Sequence, residues 1–160
     1  MKTLYSLALV ALLPFGALAE VAQAASQSSE ETIVPAAEAF GPRAAAEVVM
    51  ADQLYLKRPV VVFADSPNDP NYLRQMELMA EDLPALDLRD VILVTDTDPA
   101  AMTEWRKKLR PRGFSLVLMD KDLAPVIRKP LPWEVREITR AIDKFPLRRQ
   151  EMLERNPAGR

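Results

Sequence analysis

Two short apolar runs, each cut off by a polar loop, set the pattern of this chain. Val60-Val61-Val62-Phe63-Ala64 is continuously apolar, as a strand buried on both faces is. It gives way to Asp65-Ser66-Pro67-Asn68-Asp69-Pro70, which is turn chemistry, with Asp69 placed as a helix N-cap and Pro70 as the first helical residue. In the helix that follows, Tyr72, Leu73, Met76, Met79, Ala80 and Leu83 recur at helical spacing opposite Arg74, Glu77 and Glu81. Asp82 and Pro84 end it. Val91-Ile92-Leu93-Val94 is the second buried strand, and Asp96-Thr97-Asp98-Pro99 repeats the punctuation. Asp98 caps and Pro99 opens a helix with Ala101, Met102, Trp105 and Leu109 on one face, stopped by Pro111 and Gly113.

Residues 114–119 read as a third strand, Asp120-Lys121-Asp122 as a tight turn and residues 124–128 as a fourth strand. Pro125 has no N–H to give to a ladder, which puts that strand at a sheet edge. A last helix over residues 132–145 carries Val135, Ile138, Ile142 and Phe145 as its stripe and ends at Pro146. Upstream, Gly41-Pro42 opens a helical segment reaching Gln53 with a loose apolar face of Ala45, Val48 and Val49. The order is β-α-β-α-β-β-α, an α/β fold with a mixed four-stranded sheet flanked by helices and an extra N-terminal helical segment.

Lys2, the apolar run over residues 4–13 and the small residues at Ala17-Leu18-Ala19 and Ala22-Gln23-Ala24 follow the three-part pattern of a secretory signal peptide. Cleavage after Ala19 or after Ala24 fits equally. The chain then divides into a signal peptide (1–24), a linker and helical segment (25–53), a domain (54–149) and a basic tail (150–160). No later run approaches the roughly 20 apolar residues of a membrane span. The expectation is an exported protein, periplasmic or secreted, with no transmembrane segment once the signal is removed.

Composition narrows the chemistry. The 160 residues include no cysteine and no histidine. Every thiol mechanism is therefore excluded, along with the commonest general base and metal ligand. Charge is near balance overall but uneven along the chain: residues 20–102 hold 5 basic and 15 acidic side chains, and residues 103–160 hold 15 basic and 8 acidic. This arrangement gives either a basic face for an anionic partner or two halves that interleave in one fold. Nucleic acid is not an expected partner of an exported protein.

Arg112-Gly113-Phe114-Ser115-Leu116-Val117-Leu118 resembles the segment that enters the third core strand of thioredoxins, with the Met119-Asp120-Lys121-Asp122 hairpin and last helix at matching distances. Together with Arg58-Pro59, the run from Val60 and the Asp69-Pro70 cap, it makes the span 54–149 resemble bacterial domain-of-unknown-function family 4174. That family is thioredoxin-like, and similar domains occur in vertebrate extracellular proteins with sushi repeats or matrix-binding segments. The resemblance implies a thioredoxin-like fold. It also marks what is missing: where thioredoxins and peroxiredoxins carry the nucleophilic cysteine, this chain has Asp65, Ser66, Pro67, Asn68 and Asp69, and Ser115 stands at the position of the cis-proline. Disulfide exchange and peroxide reduction are not expected.

Two candidate sites follow. Asp65, Ser66, Asn68, Asp69 and Tyr72, with Arg112 and Ser115 across from them, form a pocket suited to a small polar or anionic group. The competing reading is that Ser66 and Asp69 only satisfy turn and cap N–H groups and that Tyr72 is core. Arg106, Lys107, Lys108 and Arg110 form a basic surface continuing to Arg112. Asp96 and Asp98 resemble the aspartate pair of haloacid-dehalogenase phosphatases, though a cap plus a turn explains both. Trp105 and Trp133 are stacking platforms or helix cover. No catalytic residue, metal-ligand set or cofactor is assigned. The expected function is non-catalytic binding of an envelope protein. The alternative is a carboxylate-dependent enzyme, or a small-ligand-binding protein, using the loop after the first core strand.

Overall fold

The computed structural model describes residues 40–156, which belong to one compact unit spanning Ala36–Arg160. The signal peptide expected over residues 1–24 and residues 25–39 of the expected linker lie outside the described residues. Five strands form one mixed sheet: β1 (Pro42–Ala44), β2 (Arg58–Phe63), β3 (Val91–Asp96), β4 (Ser115–Met119) and β5 (Pro125–Lys129). Their order is β1-β3-β2-β4-β5. β1 and β2 run parallel to β3, and β4 runs antiparallel to β2 and β5. Helices α1 (Pro70–Ala80), α2 (Leu83–Asp87), α3 (Glu104–Leu109), α4 (Val135–Ile142) and α5 (Pro146–Arg155) complete the fold.

All six residues of β2 are buried. The two-residue period of a strand sends Val60 and Val62 to one face with Leu93, Leu116 and Leu118, where Met79 of α1, Leu86 of α2 and Ile138 of α4 cover them. Val61 and Phe63 face the other way with Val94, Val117 and Met119, beneath Trp105 and Leu109 of α3. Each apolar run of the sequence therefore serves two cores. As its proline required, β5 lies at the sheet edge, and all five of its residues are exposed or half-buried.

The helix expected over residues 41–53 is replaced by a fifth strand and a single 3-10 turn, Ala51–Gln53. The cause is long-range pairing. Pro42–Ala44 pairs with Leu93, Val94 and Thr95, and the Ala45 N–H donates to the Thr95 carbonyl at 2.8 Å. The Val48 carbonyl accepts the Trp105 indole N–H at 2.8 Å, which fixes Trp105 as core. These bonds outweigh the helix preference of Ala44-Ala45-Ala46. The helix expected from Pro99 is also interrupted: a 3-10 turn, Pro99–Ala101, stops at Met102 in the left-handed region (φ 45°), and Thr103 caps α3 anew. Pro146 not only ends the preceding helix but opens α5. Polar Gln75 on α1 is fully buried because its amide bonds both ways to the Trp133 backbone, donating at 2.9 Å and accepting at 2.8 Å.

A charge network closes the amino ends of β2 and β3. Arg58, with no exposed surface, donates to Asp120 Oδ1 at 3.0 Å, to Glu151 Oε1 at 2.7 Å and to the Arg89 carbonyl at 3.0 Å. Lys121 bridges Asp90 at 2.8 Å and Glu151 at 2.9 Å. Arg89 grips Asp143 through two bonds of 2.9 and 2.8 Å, and Arg148 approaches Asp143 and Glu151. Four cations meet four carboxylates here, drawn from both halves of the sequence. α5 is the element that the network pins to the sheet.

Candidate functional site

At the opposite, carboxyl ends of β2 and β3, the fold builds a site around a second buried arginine. Thr103 prepares it: its oxygen accepts the Arg106 N–H at 3.1 Å, and its hydroxyl donates to Asp96 Oδ2. Arg106 then reaches back under the strand ends. Its Nε and Nη2 donate to Asp96 Oδ1 at 3.0 and 2.8 Å, and Nη2 also meets the Ala64 carbonyl at 2.8 Å. The guanidinium lies 5.5 Å from the Phe63 ring centroid. With its inner nitrogens committed, Arg106 turns Nη1 outward to Asp65, whose carboxylate stands 3.5 Å away and is 60% exposed. A fixed cation thus carries one buried counter-ion and one that faces water.

This pair opens into a groove of about 600 Å³ lined by Asp65, Met102, Arg106, Lys107, Arg110 and Gly113, among others. Met102, Arg110 and Gly113 all hold left-handed backbone, at φ 45°, 46° and 60°. For Gly113 the angle, rather than space, dictates glycine, since an added Cβ would lie 4.0 Å from Asp65 Oδ2. A second hollow of about 450 Å³ shares Arg110 and Arg112 and continues to Phe114, Ser115, Arg128 and Pro130. Arg128 is held by two neutral oxygens, the Leu109 carbonyl at 2.7 Å and Ser115 Oγ at 3.4 Å.

The residues singled out in the sequence separate accordingly. Asp65 and Arg112 line the groove, and Arg112 and Ser115 line its continuation, with Ser115 itself buried. Ser66, Asn68, Asp69 and Tyr72 line neither hollow. Ser66 Oγ accepts the Asn68 N–H at 3.1 Å, Asp69 caps α1 by accepting the Asn71 and Tyr72 N–H groups, and the Tyr72 side chain packs on the first core cluster. On the basic stretch, Lys107, Lys108 and Arg110 are exposed. Arg106 is a correction: it is buried and ion-paired, not surface charge, because positions 105, 106 and 109 share the inward face of α3. Asp98 caps the 3-10 turn through the Ala100 N–H at 2.9 Å, whereas Asp96 is the core partner of Arg106. Sequence reasoning weighed Asp96 only as half of a phosphatase-like pair with Asp98, not as the partner of Arg106, and passed over Arg128. The available signal for Asp96 was its place at the end of a buried strand parallel and adjacent to β2.

Among the described residues no group of three or more acidic side chains gathers to hold a metal ion, and no helix is long and apolar enough to cross a membrane. None of the curated proteins matches the chain. Residues 50–151 match the family described as a domain of unknown function, DUF4174. That span takes in β2 to β5, Arg58, Arg106 and the groove between Asp65 and Arg128, and on it the chain belongs to the DUF4174 family.

Proposed function

We propose that this protein is an exported, thioredoxin-like binding module without catalytic duty, which engages another protein of the cell envelope at the carboxyl ends of β2 and β3. The strand order, with three parallel strands followed by β4 running antiparallel to both β2 and β5, supports the thioredoxin-like reading. The signal-like leader supports export.

One observation carries the functional reading. The loop that holds the reactive thiol in redox-active thioredoxins here presents Asp65 to a fixed arginine, beside a groove whose other charged lining groups are all cations. Ser66 and Asp69 of that loop accept turn and cap bonds from backbone N–H groups. A chain without cysteine has no thiol to exchange there. What the site retains is shape and charge, which suit recognition.

The test is in-cell crosslinking with the full chain as bait, beside the variant Lys107→Glu, Arg110→Glu, Arg112→Glu. A protein captured by the wild type and lost from the folded variant supports the reading. A folded wild-type bait that captures no protein in its own compartment rejects it. The groove's volume also fits a small molecule, so a ligand screen by rise in melting temperature is the matching test of that alternative.

A further inference from the structure

We infer that the trough running from Arg106 past Arg110 and Arg112 to Arg128 receives an extended peptide carrying carboxylates among apolar side chains, and that Asp65 is a built-in competitor for its first carboxylate. The inference rests on the binding-module reading and names the chemistry of the partner segment.

Three observations carry it. First, the charges are uncompensated. Lys107, Arg110 and Arg112 are exposed and make none of the ion pairs found among the described residues, and Arg128 is positioned by a carbonyl and a hydroxyl without a carboxylate. At the sheet's other end every cation of the network has an anion, so the excess is local. Second, the two hollows lie on either side of shared Arg110 and Arg112, an arrangement that suits an extended chain better than a single small anion. Third, the lining is mixed. Half-exposed Met102 stands with the cations of the first hollow, and Phe114 and Pro130 with those of the second. A concave lining of apolar and cationic groups fits alternating acidic and apolar side chains, whereas a flat bilayer reaches only its rim.

Asp65 gives the inference its distinctive consequence. Arg106 spends Nε and Nη2 on Asp96 and offers Nη1 to a carboxylate that is itself largely in water. An incoming carboxylate takes the same Nη1 and must displace or repel Asp65. Removing the Asp65 charge therefore strengthens binding, the reverse of what a contact residue does.

The experiment titrates the full chain into a labelled peptide of alternating glutamate and leucine, followed by fluorescence polarisation, with a lysine and leucine peptide and phosphatidylglycerol vesicles as comparisons. The expected result is selective binding of the acidic peptide, weakened by salt. Asp65→Asn tightens it about threefold or more, and Arg112→Glu weakens it about tenfold or more. Arg128→Gln gives a second reading at the far end, and Arg112→Glu, on an exposed side chain, keeps the test valid if Arg128→Gln is poorly folded. Unchanged or weaker binding in Asp65→Asn overturns the inference. So does binding to vesicles in place of the peptide. Carrying Arg112→Glu through the in-cell crosslinking separates the two readings. A partner captured equally by wild type and Arg112→Glu leaves the binding module standing and removes the acidic peptide. Peptide binding with the expected pattern, and no partner captured, supports the trough and removes the envelope partner.

Discussion

Arg58 and Arg106 sit at opposite ends of the same two parallel strands, both buried, and they do different things. Arg58 is surrounded by oxygens of the chain itself: Asp120, Glu151 and the Arg89 carbonyl take its donors, and α5 closes over them. Arg106 is anchored as firmly by Asp96, but its last nitrogen faces a carboxylate in water and a groove with surplus cations. Burial and ion pairing alone therefore do not distinguish a clamp from a site. The distinction lies in how far the outermost partner stands in water, a fifth of the side chain for Glu151 against 60% for Asp65, and in whether the surrounding charges cancel.

The largest effect expected from breaking this comparison is at the closed end. Arg58→Met leaves Asp120, only 3% exposed, as a buried carboxylate without its cation. Removing one partner of a buried pair costs about 3–5 kcal/mol, which for a chain of this size lowers the melting temperature by about 10 °C or more. Peptide binding at the other end should survive in the fraction that remains folded. A variant that melts like the wild type would mean the network is not a clamp.

Asp96→Asn is the equivalent change at the open end and should be milder, about 2 kcal/mol, because the amide oxygen still accepts from Arg106 while the charge is lost. Denaturant midpoints of the two variants, compared at unchanged slope, rank the two ends directly.

Much of this architecture is legible in the sequence because its causes are local. Continuous apolar runs mark β2 and β3, Asp69 and Asp98 act as the caps they resemble, and Pro125 sends β5 to the edge. What is not legible depends on distant partners. β1 is three residues whose strand character comes from Leu93, Val94 and Thr95. Arg58 is 62 positions from Asp120 and 93 from Glu151. Arg106 lies in a run of like charges, and only the helical phase set by Trp105 and Leu109 turns it inward while Lys107 and Lys108 point out. A charge run read as one surface thus splits into one core cation and an exposed rim.

Acid should loosen the closed end. Burial opposes the charge of Glu151, but hydrogen bonds from Arg58 and Lys121 prevail and bring its carboxyl down to about 2. The Arg89 hydrogen bond likewise holds Asp143 below the usual carboxylate range, against burial and with help from Arg148. Carboxyls depressed in the fold stabilise it above their unfolded values, and that contribution is lost as pH falls from about 4.5 toward about 2. For Glu151 this is on the order of 1–2 kcal/mol after allowing for the fifth of its side chain that is in water. Hydrogen exchange should show the α5 amides losing protection at pH 3 relative to pH 6 while those of β2 persist. Equal loss in both would mean that α5 is not held by this network.

The smallest effect sharpens the comparison most. Asp65 also pairs with a buried arginine, yet its carboxylate is 60% exposed, 3.5 Å from Nη1, and not needed to neutralise Arg106, which keeps Asp96. An exposed pair of this kind contributes little, so Asp65→Asn should move stability by no more than about 0.5 kcal/mol in either direction. Asp65→Asn and Asp96→Asn touch the same guanidinium from its two sides, so their denaturant midpoints isolate the role of each carboxylate. A near-silent Asp65→Asn beside a costly Asp96→Asn means that the outer carboxylate is free to be exchanged for another molecule's. Equal costs would make Asp65 part of the anchor, and the open end would then be a second clamp built like the first.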